Sequence, residues 1–165
     1  MNEITTGLQM FLVRELQAFE REIEMFPDDE LVWKTVPGLT NSAGNLALHV
    51  CGNLQEYLGR VLGGRSYVRH RDAEFARTSG TRAELVREIR AARAVVEDVL
   101  PTISESVLEG TFPEAVGGVE LNTRLFLLHV SVHLAYHLGQ AGYLRRVVTG
   151  DNRSSGALPL KALVS

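Results

Sequence analysis

The sequence predicts an all-α protein, an up-and-down bundle of four helices. Four long segments repeat apolar residues at intervals of three and four, which is the spacing of one face of a helix. Proline and glycine separate these segments, and none of them shows the period-two alternation that is typical of a strand. Four amphipathic helices bury their apolar faces by covering one another, so a bundle is the expected architecture.

The first predicted helix runs from about residue 3 to 25 and stops at the following proline. Its apolar face comprises Ile4, Leu8, Phe11, Leu12, Phe19 and Ile23. The second runs from about 44 to 62, and either Asn41 or Ser42 is the expected N-cap because both side chains accept a bond from a free backbone N–H. Its apolar face comprises Leu46, Val50, Leu54, Tyr57, Leu58 and Val61. Gly63-Gly64 ends it.

The third predicted helix begins with a capping-box pattern at residues 81–84, Thr-Arg-Ala-Glu, and ends before Pro101. Its apolar face comprises Leu85, Ile89, Ala92, Val96 and Val99. The fourth runs from about 122 to 148, with Leu125, Leu128, Val132, Ala135 and Leu144 interpreted as its buried face. Between these two helices, Pro113 and Gly117-Gly118 indicate a turn or a short hairpin.

A chain of 165 residues is long enough for one domain. We expect the bundle to occupy residues 1–150 and a tail, residues 151–165, to pack on the same domain through Leu158, Leu160 and Leu163. The formal net charge of −3 argues against a nucleic-acid partner, because phosphate binding uses clustered Lys and Arg. The most basic stretch, residues 65–77, also contains Asp72 and Glu74, and we interpret it as a solvated loop.

The sequence does not predict secretion, a membrane span or a site built from cysteines. A secretory signal is not evident at the N-terminus, and no apolar run approaches the ~20 residues of a membrane span. The chain is therefore expected to be cytoplasmic, with no membrane partner. Cys51 is the single cysteine and lies on a different helix face from His49, so neither a disulfide nor a cysteine-ligated zinc is predicted.

Three of the five histidines lie on the fourth predicted helix, at positions 129, 133 and 137. Side chains four residues apart share a helix face, so two such imidazoles can bind one ion at ~2.0–2.1 Å. His129 and His137 are ~12 Å apart along the axis and cannot share one ion. From spacing alone, the ligand pair is either His129 with His133 or His133 with His137.

His49 is the candidate for a third ligand, because it shares an inward stripe with Leu46, Val50 and Asn53 on the second helix. A lone inward histidine is more often a hydrogen-bonded core residue, but an inward pair on a facing helix favours a metal site. His70 lies in the polar stretch and is expected to be exposed. Leu134 follows His133, so the His-Glu-x-x-His motif of zinc proteases is absent.

Two segments resemble the DinB/YfiT-like superfamily of metal-dependent proteins. Residues 41–49, Asn-Ser-Ala-Gly-Asn-Leu-Ala-Leu-His, follow Trp33 and Pro37-Gly38 and resemble the family segment that enters the second helix. Residues 133–140, His-Leu-Ala-Tyr-His-Leu-Gly-Gln, resemble the family's His-x-x-x-His-x-Gly-Gln motif on the fourth helix. The order of elements agrees with the family along the whole chain.

The resemblance implies an up-and-down four-helix bundle that holds one divalent ion, zinc, nickel, iron or manganese, through His49, His133 and His137. His129 then becomes a pocket residue or a residue that supports a ligand. Gln140, one turn after His137, is expected either to orient a ligand or bound water or simply to pack.

The resemblance also implies a small-molecule substrate and a homodimer. Characterised relatives include S-transferases that use bacillithiol, mycothiol or glutathione, and other members are regarded as hydrolases. Two functions stay open: a metal-dependent enzyme that uses a low-molecular-weight thiol or hydrolyses its substrate, and a non-catalytic metal-binding or stress-response module in which the ion stabilises the bundle. Glu56, two turns after His49, is a candidate acid or base, or a carboxylate paired along its own helix.

Overall fold

The computed structural model describes residues 2–156, and within this range the regular structure is helical. It contains six α-helices: α1 (Glu3–Glu24), α2 (Ala43–Leu54), α3 (Arg71–Ala76), α4 (Arg82–Val99), α5 (Glu105–Glu109) and α6 (Thr123–Thr149). A π-helix, Gln55–Leu62, continues α2, and single 3₁₀ turns occupy Leu31–Trp33 and Leu100–Thr102. The predicted all-α class is confirmed. The prediction of four helices missed α3 and α5, because they are too short to show helical periodicity.

The four long helices form the core. α1 packs against α4 and α6, and α2 packs against the same two helices, so that α1 and α2 hardly touch. Short helix α3 lies on α2, and α5 lies on α6. Almost all of α2 is buried, from Ala43 to Leu54, which explains why this helix can carry residues of an interior site.

Local signals in the sequence set the helix ends. Ser42, not Asn41, is the N-cap of α2, and its side chain forms a reciprocal capping box with Asn45. Thr81 and Glu84 form the predicted capping box of α4. Gly150 ends α6 with a φ of 71°, the left-handed conformation that glycine adopts without a Cβ clash.

The segment between α5 and α6 contains two isolated antiparallel bridges, Thr111 with Asn122 and Val116 with Val119. Gly117 and Gly118 both have positive φ, 61° and 80°, as a two-residue hairpin turn requires. Val116 and Val119 exchange two backbone hydrogen bonds across it, at 3.0 and 3.1 Å. The predicted turn is therefore a short hairpin tip, placed directly before α6.

The predicted apolar faces are confirmed for α2 and α4 and, except for Phe11, which is 44% exposed, for α1, but the predicted face of α6 is wrong. Leu125, Leu128, Val132 and Ala135, interpreted as the buried side, are exposed, and of that set only Leu144 is buried. The face that packs inward carries Phe126, Leu127, Val130, Leu134, Leu138, Ala141 and Leu144. Because α6 is apolar on both sides, its periodicity does not say which side faces the core.

Residues 151–153 are fastened to the bundle by Arg145, which is fully buried on α6. Its Nε donates to Glu22 of α1 at 2.5 Å, and its Nη atoms donate to the backbone carbonyls of Asp151 and Arg153. Leu158, Leu160 and Leu163, predicted to pack on the domain, lie outside the described residues. Within residues 2–156, every helix is too short or too polar to cross a membrane.

Candidate metal centre

Three histidines from two helices meet at one point. Nε2 of His133 lies 3.3 Å from Nε2 of His49 and 3.1 Å from Nε2 of His137. His49 is 7% exposed on α2, and the other two are half-buried on successive turns of α6. Within residues 2–156 these are the His, Cys, Asp and Glu side chains that offer ligand atoms close enough to share an ion. His129 is not in the group.

The separations suit a metal ion. Two imidazole nitrogens bound at ~2.0–2.1 Å in tetrahedral geometry lie ~3.3 Å apart, which is close to both nitrogen–nitrogen distances here. Nitrogen donors of this type suit zinc, copper, iron and nickel. The three side chains therefore have the chemistry and the spacing of a three-histidine metal site.

A buried carboxylate fixes the orientation of His49. Glu74 of α3 is 8% exposed, and its Oε2 lies 3.0 Å from Nδ1 of His49. Because a carboxylate can only accept, the Nδ1 of His49 carries the hydrogen, and its Nε2 presents a lone pair to the cluster. A carboxylate behind a ligating histidine is the usual support of a metal site.

Arg69 holds Glu74 in place. Its Nε and Nη2 donate to the two carboxylate oxygens of Glu74 at 2.7 and 2.8 Å, a bidentate pair. Its Nη1 donates to the side-chain oxygen of Asn53 at 2.6 Å. Burial raises the pKa of Glu74, but the hydrogen bonds from Arg69 and His49 outweigh this effect, and the pKa is lowered overall. Glu74 is consequently ionised near neutral pH.

Two small features of α2 allow α3 to approach so closely. Asn45 donates its side-chain amide to the backbone carbonyls of Glu74 and Arg77, at 2.9 and 2.7 Å, which pins α3 onto α2. Gly52 leaves the space that the carboxylate occupies, since a Cβ there would lie 2.1 Å from Oε1 of Glu74. The position of Glu74 therefore depends on a glycine and an asparagine of the neighbouring helix.

Gln140 orients the imidazole of His137, as Glu74 orients that of His49. Its Oε1 lies 2.7 Å from Nδ1 of His137, and because this oxygen only accepts, the Nδ1 is again the protonated nitrogen. Gln140 sits one turn further along α6, so the pair forms within one helix. Both His49 and His137 thus turn an unprotonated Nε2 toward His133.

The environment keeps the α6 pair neutral. Burial lowers the pKa of His133 to about 4, and the nearby imidazoles add to the effect. Burial also lowers the pKa of His137, although the hydrogen bond with Gln140 raises it in part. Neutral imidazole is the form that binds metal, so the two side chains are in the protonation state that coordination requires at neutral pH.

A cavity of about 210 Å³ adjoins the cluster. Its lining comprises His49, Asn53, Tyr57, Arg69, Arg71, Val116, Phe126, His129, Val130 and His133. Val116 comes from the hairpin tip, so the loop before α6 closes one side. A small molecule in this cavity would lie directly beside two of the three clustered histidines.

The remaining histidine, carboxylate and cysteine candidates from the sequence lie outside the cluster of three histidines. His129 is exposed and lines the cavity, 6.0 Å from His133 between ring centres. Glu56 does not line it; its Oε1 accepts two hydrogen bonds from Arg60, at 2.9 and 2.6 Å, the pairing along its own helix that was the alternative interpretation. Cys51 is buried, and burial raises the pKa of its thiol. His70 is exposed, as expected.

The sequence interpretation missed Asn53, Arg69 and Glu74. Residues 65–77 were interpreted as a solvated loop, but they include α3 and supply both members of the ion pair behind His49. The spacing of Glu74 from any histidine is irregular, so no local motif marks it. Asn53, one turn after His49, was the one detectable signal, because its position on the inward stripe predicts a partner in the core.

A comparison with protein families matches residues 12–141 to the DinB superfamily. The chain belongs to the DinB superfamily. The match spans helices α1 to α6 and includes all three clustered histidines. No curated protein matches the chain.

Among solved structures, this DinB-superfamily chain is similar to a conserved protein from Enterococcus faecalis. The TM-score is 0.75, with 18% sequence identity over 92% of this chain and 100% of the other. At this level of identity the likeness establishes the shared fold alone.

Proposed function

We propose that this member of the DinB superfamily is a metal-dependent enzyme that transfers a low-molecular-weight thiol to an electrophilic small molecule. The observation that carries the proposal is the convergence of three imidazole nitrogens, 3.1 and 3.3 Å apart, beside a cavity. A divalent ion held by His49, His133 and His137 would act as a Lewis acid that lowers the pKa of a thiol or of water. Zinc, nickel, iron or manganese would serve.

The residues of the chain would prepare and confine the reactants. Glu74 and Gln140 hold the ligating imidazoles in one tautomer and orientation. Tyr57 and Phe126, whose ring centres are 5.0 Å apart, form an apolar wall of the cavity and restrict water. His129, exposed at the cavity edge, would accept the proton of the thiol and pass it to the group that leaves the electrophile as the C–S bond forms.

Two alternatives concern what the ion does. The same site would support hydrolysis if water took the place of the thiol. An ion that only stabilises the bundle would need a closed set of four protein ligands. Within residues 2–156 three histidines meet and one side of the cluster faces a cavity, an arrangement that favours an enzyme over a purely structural ion.

The test is conjugation of a thiol to a model electrophile. Untagged protein loaded with metal is incubated with monochlorobimane and, in separate reactions, bacillithiol, mycothiol, glutathione or cysteine. We expect conjugation above the buffer rate with at least one thiol, and loss of this rate in His133→Ala and after chelation. The matched control is His70→Ala, which removes an exposed histidine outside the cluster.

Rates equal to buffer for all four thiols would contradict the transferase. Hydrolysis of small esters or amides that depends on His133 would then identify the hydrolase. An inert protein that binds the ion and loses thermal stability without it would identify the structural role.

We further propose an arrangement and an assembly state. The four long helices run alternately up and down, as the family resemblance implies, and the chain forms a homodimer through α6. The outward side of α6 exposes large apolar residues at spacings of three, four, four, seven and four: Leu125, Leu128, Val132, Tyr136, Tyr143 and Val147. Their exposed fractions range from 47% to 74%.

This surface, the α6 stripe, has the properties of an interface. Within α6 there is no acidic residue and no lysine, and a contiguous row of exposed large apolar side chains is typical of an interaction surface. The six side chains expose on the order of 700 Å², close to the ~800 Å² per partner of a standard interface. The stripe also borders an apolar depression of about 460 Å³ formed with Leu39 and Leu46. A second copy related by a two-fold axis would cover both.

A further inference from the structure

Among residues 2–156, those that line the cavity beside the histidine cluster include no acidic residue. It has two arginines, Arg69 and Arg71, which differ in their surroundings. The charge of Arg69 is balanced by Glu74, whose two carboxylate oxygens both accept from it. The ion pair contributes no net charge to the cavity.

Arg71, in contrast to Arg69, contributes its positive charge to the cavity. It is exposed at the first position of α3, and within residues 2–156 no carboxylate lies within ion-pair distance of it. Its guanidinium carbon lies 5.1 Å from the ring centre of Phe75, which positions the group over an aromatic face. Phe75 in turn packs against His49, with ring centres 4.7 Å apart. The side chain is therefore stacked beside the cluster while its N–H donors stay available.

With a divalent ion bound, the site would carry a net positive charge. Three neutral imidazoles do not compensate a divalent ion. Arg71 adds one positive charge, the Arg69–Glu74 pair adds none, and in the described part of the chain no carboxylate of the lining offsets them. A ligand that carries an anionic group would be attracted to the cavity, and a planar guanidinium binds a carboxylate through two parallel hydrogen bonds.

We propose that Arg71 binds a carboxylate of the thiol co-substrate, so that the site selects anionic thiols over neutral ones. This inference rests on the proposed function, since the thiol is part of it. The volume of about 210 Å³ suits a small molecule whose sulfur reaches the cluster while its carboxylate meets Arg71, which lines the same cavity.

The test compares two thiols that differ by a carboxylate, N-acetylcysteine and N-acetylcysteamine. Each is titrated into metal-loaded protein by calorimetry, and the metal content of every variant is measured alongside. We expect wild type to bind N-acetylcysteine at least about tenfold more tightly, a difference of ~1.4 kcal/mol. Arg71→Gln should remove the preference and Arg71→Lys should retain part of it. Arg87→Gln, an exposed arginine of α4, is the control and should retain the full preference.

Equal binding of the two thiols by wild type, or an unchanged preference in Arg71→Gln, would overturn the inference and leave the proposed function intact. If neither thiol binds, the thiol part of the proposed function fails, and benzoate and benzamide replace the thiols as the matched pair. Selective binding of benzoate that is lost in Arg71→Gln then supports an anion-selective cavity. Equal or absent binding of these two compounds overturns it.

Discussion

Glu74 lies 3.0 Å from Nδ1 of His49, although the two residues belong to different helices and are separated by 25 positions. This contact orients His49 so that its Nε2 faces the histidines of α6. The contact is possible because Arg69 binds the carboxylate of Glu74 and because Gly52 has no Cβ that would clash with that carboxylate. One face of the candidate metal centre is thus built by a short helix that supplies no ligand.

The ligand assignment predicts different outcomes for neighbouring histidines. Untagged protein should carry about one divalent ion per chain, measured by plasma mass spectrometry. His133→Ala and His137→Ala should empty the site, because Nε2 of each lies in the cluster. His129→Ala should leave most of the metal bound. An empty site in His129→Ala together with a filled one in His137→Ala would refute the assignment.

Gly52→Ala should weaken metal binding although it leaves the three proposed histidine ligands unchanged. The new methyl group would lie 2.1 Å from Oε1 of Glu74, so the carboxylate has to leave its place beside His49. Loss of such a supporting contact typically lowers metal affinity by about 10- to 100-fold. Competition with a fluorescent chelator measures the affinity. Gly7→Ala on α1, where a Cβ meets nothing within 4 Å, is the matched control and should bind as wild type does.

The metal-free protein should lose stability on acidification. Burial lowers the pKa of His133 from 6.5 to about 4, so between these values the unfolded chain takes up a proton that the folded chain does not. Stability therefore rises with pH across this window and falls as the pH drops through it. Urea unfolding of chelator-treated protein from pH 7 to pH 4 should give a shallower dependence in His133→Gln than in wild type. Equal slopes would contradict the prediction, and His70→Gln controls for an exposed histidine.

The α6 stripe predicts a dimer that one charge can disrupt. Val132 is 68% exposed, so Val132→Glu should leave the fold of one chain intact but place a carboxylate in the interface. We expect light scattering to show a dimer for wild type at micromolar concentration and a monomer for the variant. Val68→Glu, at a valine 73% exposed and outside the stripe, should remain dimeric. A monomeric wild type would remove the proposal.

Arg145 should be a major determinant of stability. It is fully buried, and its removal leaves Glu22, 3% exposed, as an unpaired charge beneath the surface. Breaking a buried pair in this way costs about 3–5 kcal/mol of the free energy of unfolding. Urea denaturation of Arg145→Ala should show a loss of this size. The adjacent, half-buried Arg146 is the comparison: Arg146→Ala should cost less than about 1 kcal/mol. Equal losses in the two variants would be inconsistent with a special role for Arg145.

The sequence by itself determined what local interactions decide. The apolar period of three and four, the capping box of Thr81 and Glu84, and the glycine after α6 predicted the ends of α1, α4 and α6 to within a residue or two. The second predicted helix matches α2 only together with the π-helix that follows it, and the change to π geometry was not predicted. The spacing of His133 and His137 likewise predicts that their side chains share a face, because helix geometry alone places them one turn apart. The inward stripe of the second helix pointed to His49 as the third ligand, and the resemblance, in addition, pointed to His137 rather than His129 as the partner of His133.

Tertiary structure decided everything that depends on contact between distant segments. Glu74 and Arg69 meet His49 only because Asn45 fixes α3 on α2, and no periodic pattern encodes such a contact. The buried face of α6 was likewise undetermined: Leu128 and Leu127 are adjacent and equally apolar, but the first is exposed and the second is in the core. Periodicity identifies a buried face only where the opposite face is polar, and on α6 the opposite face is apolar as well.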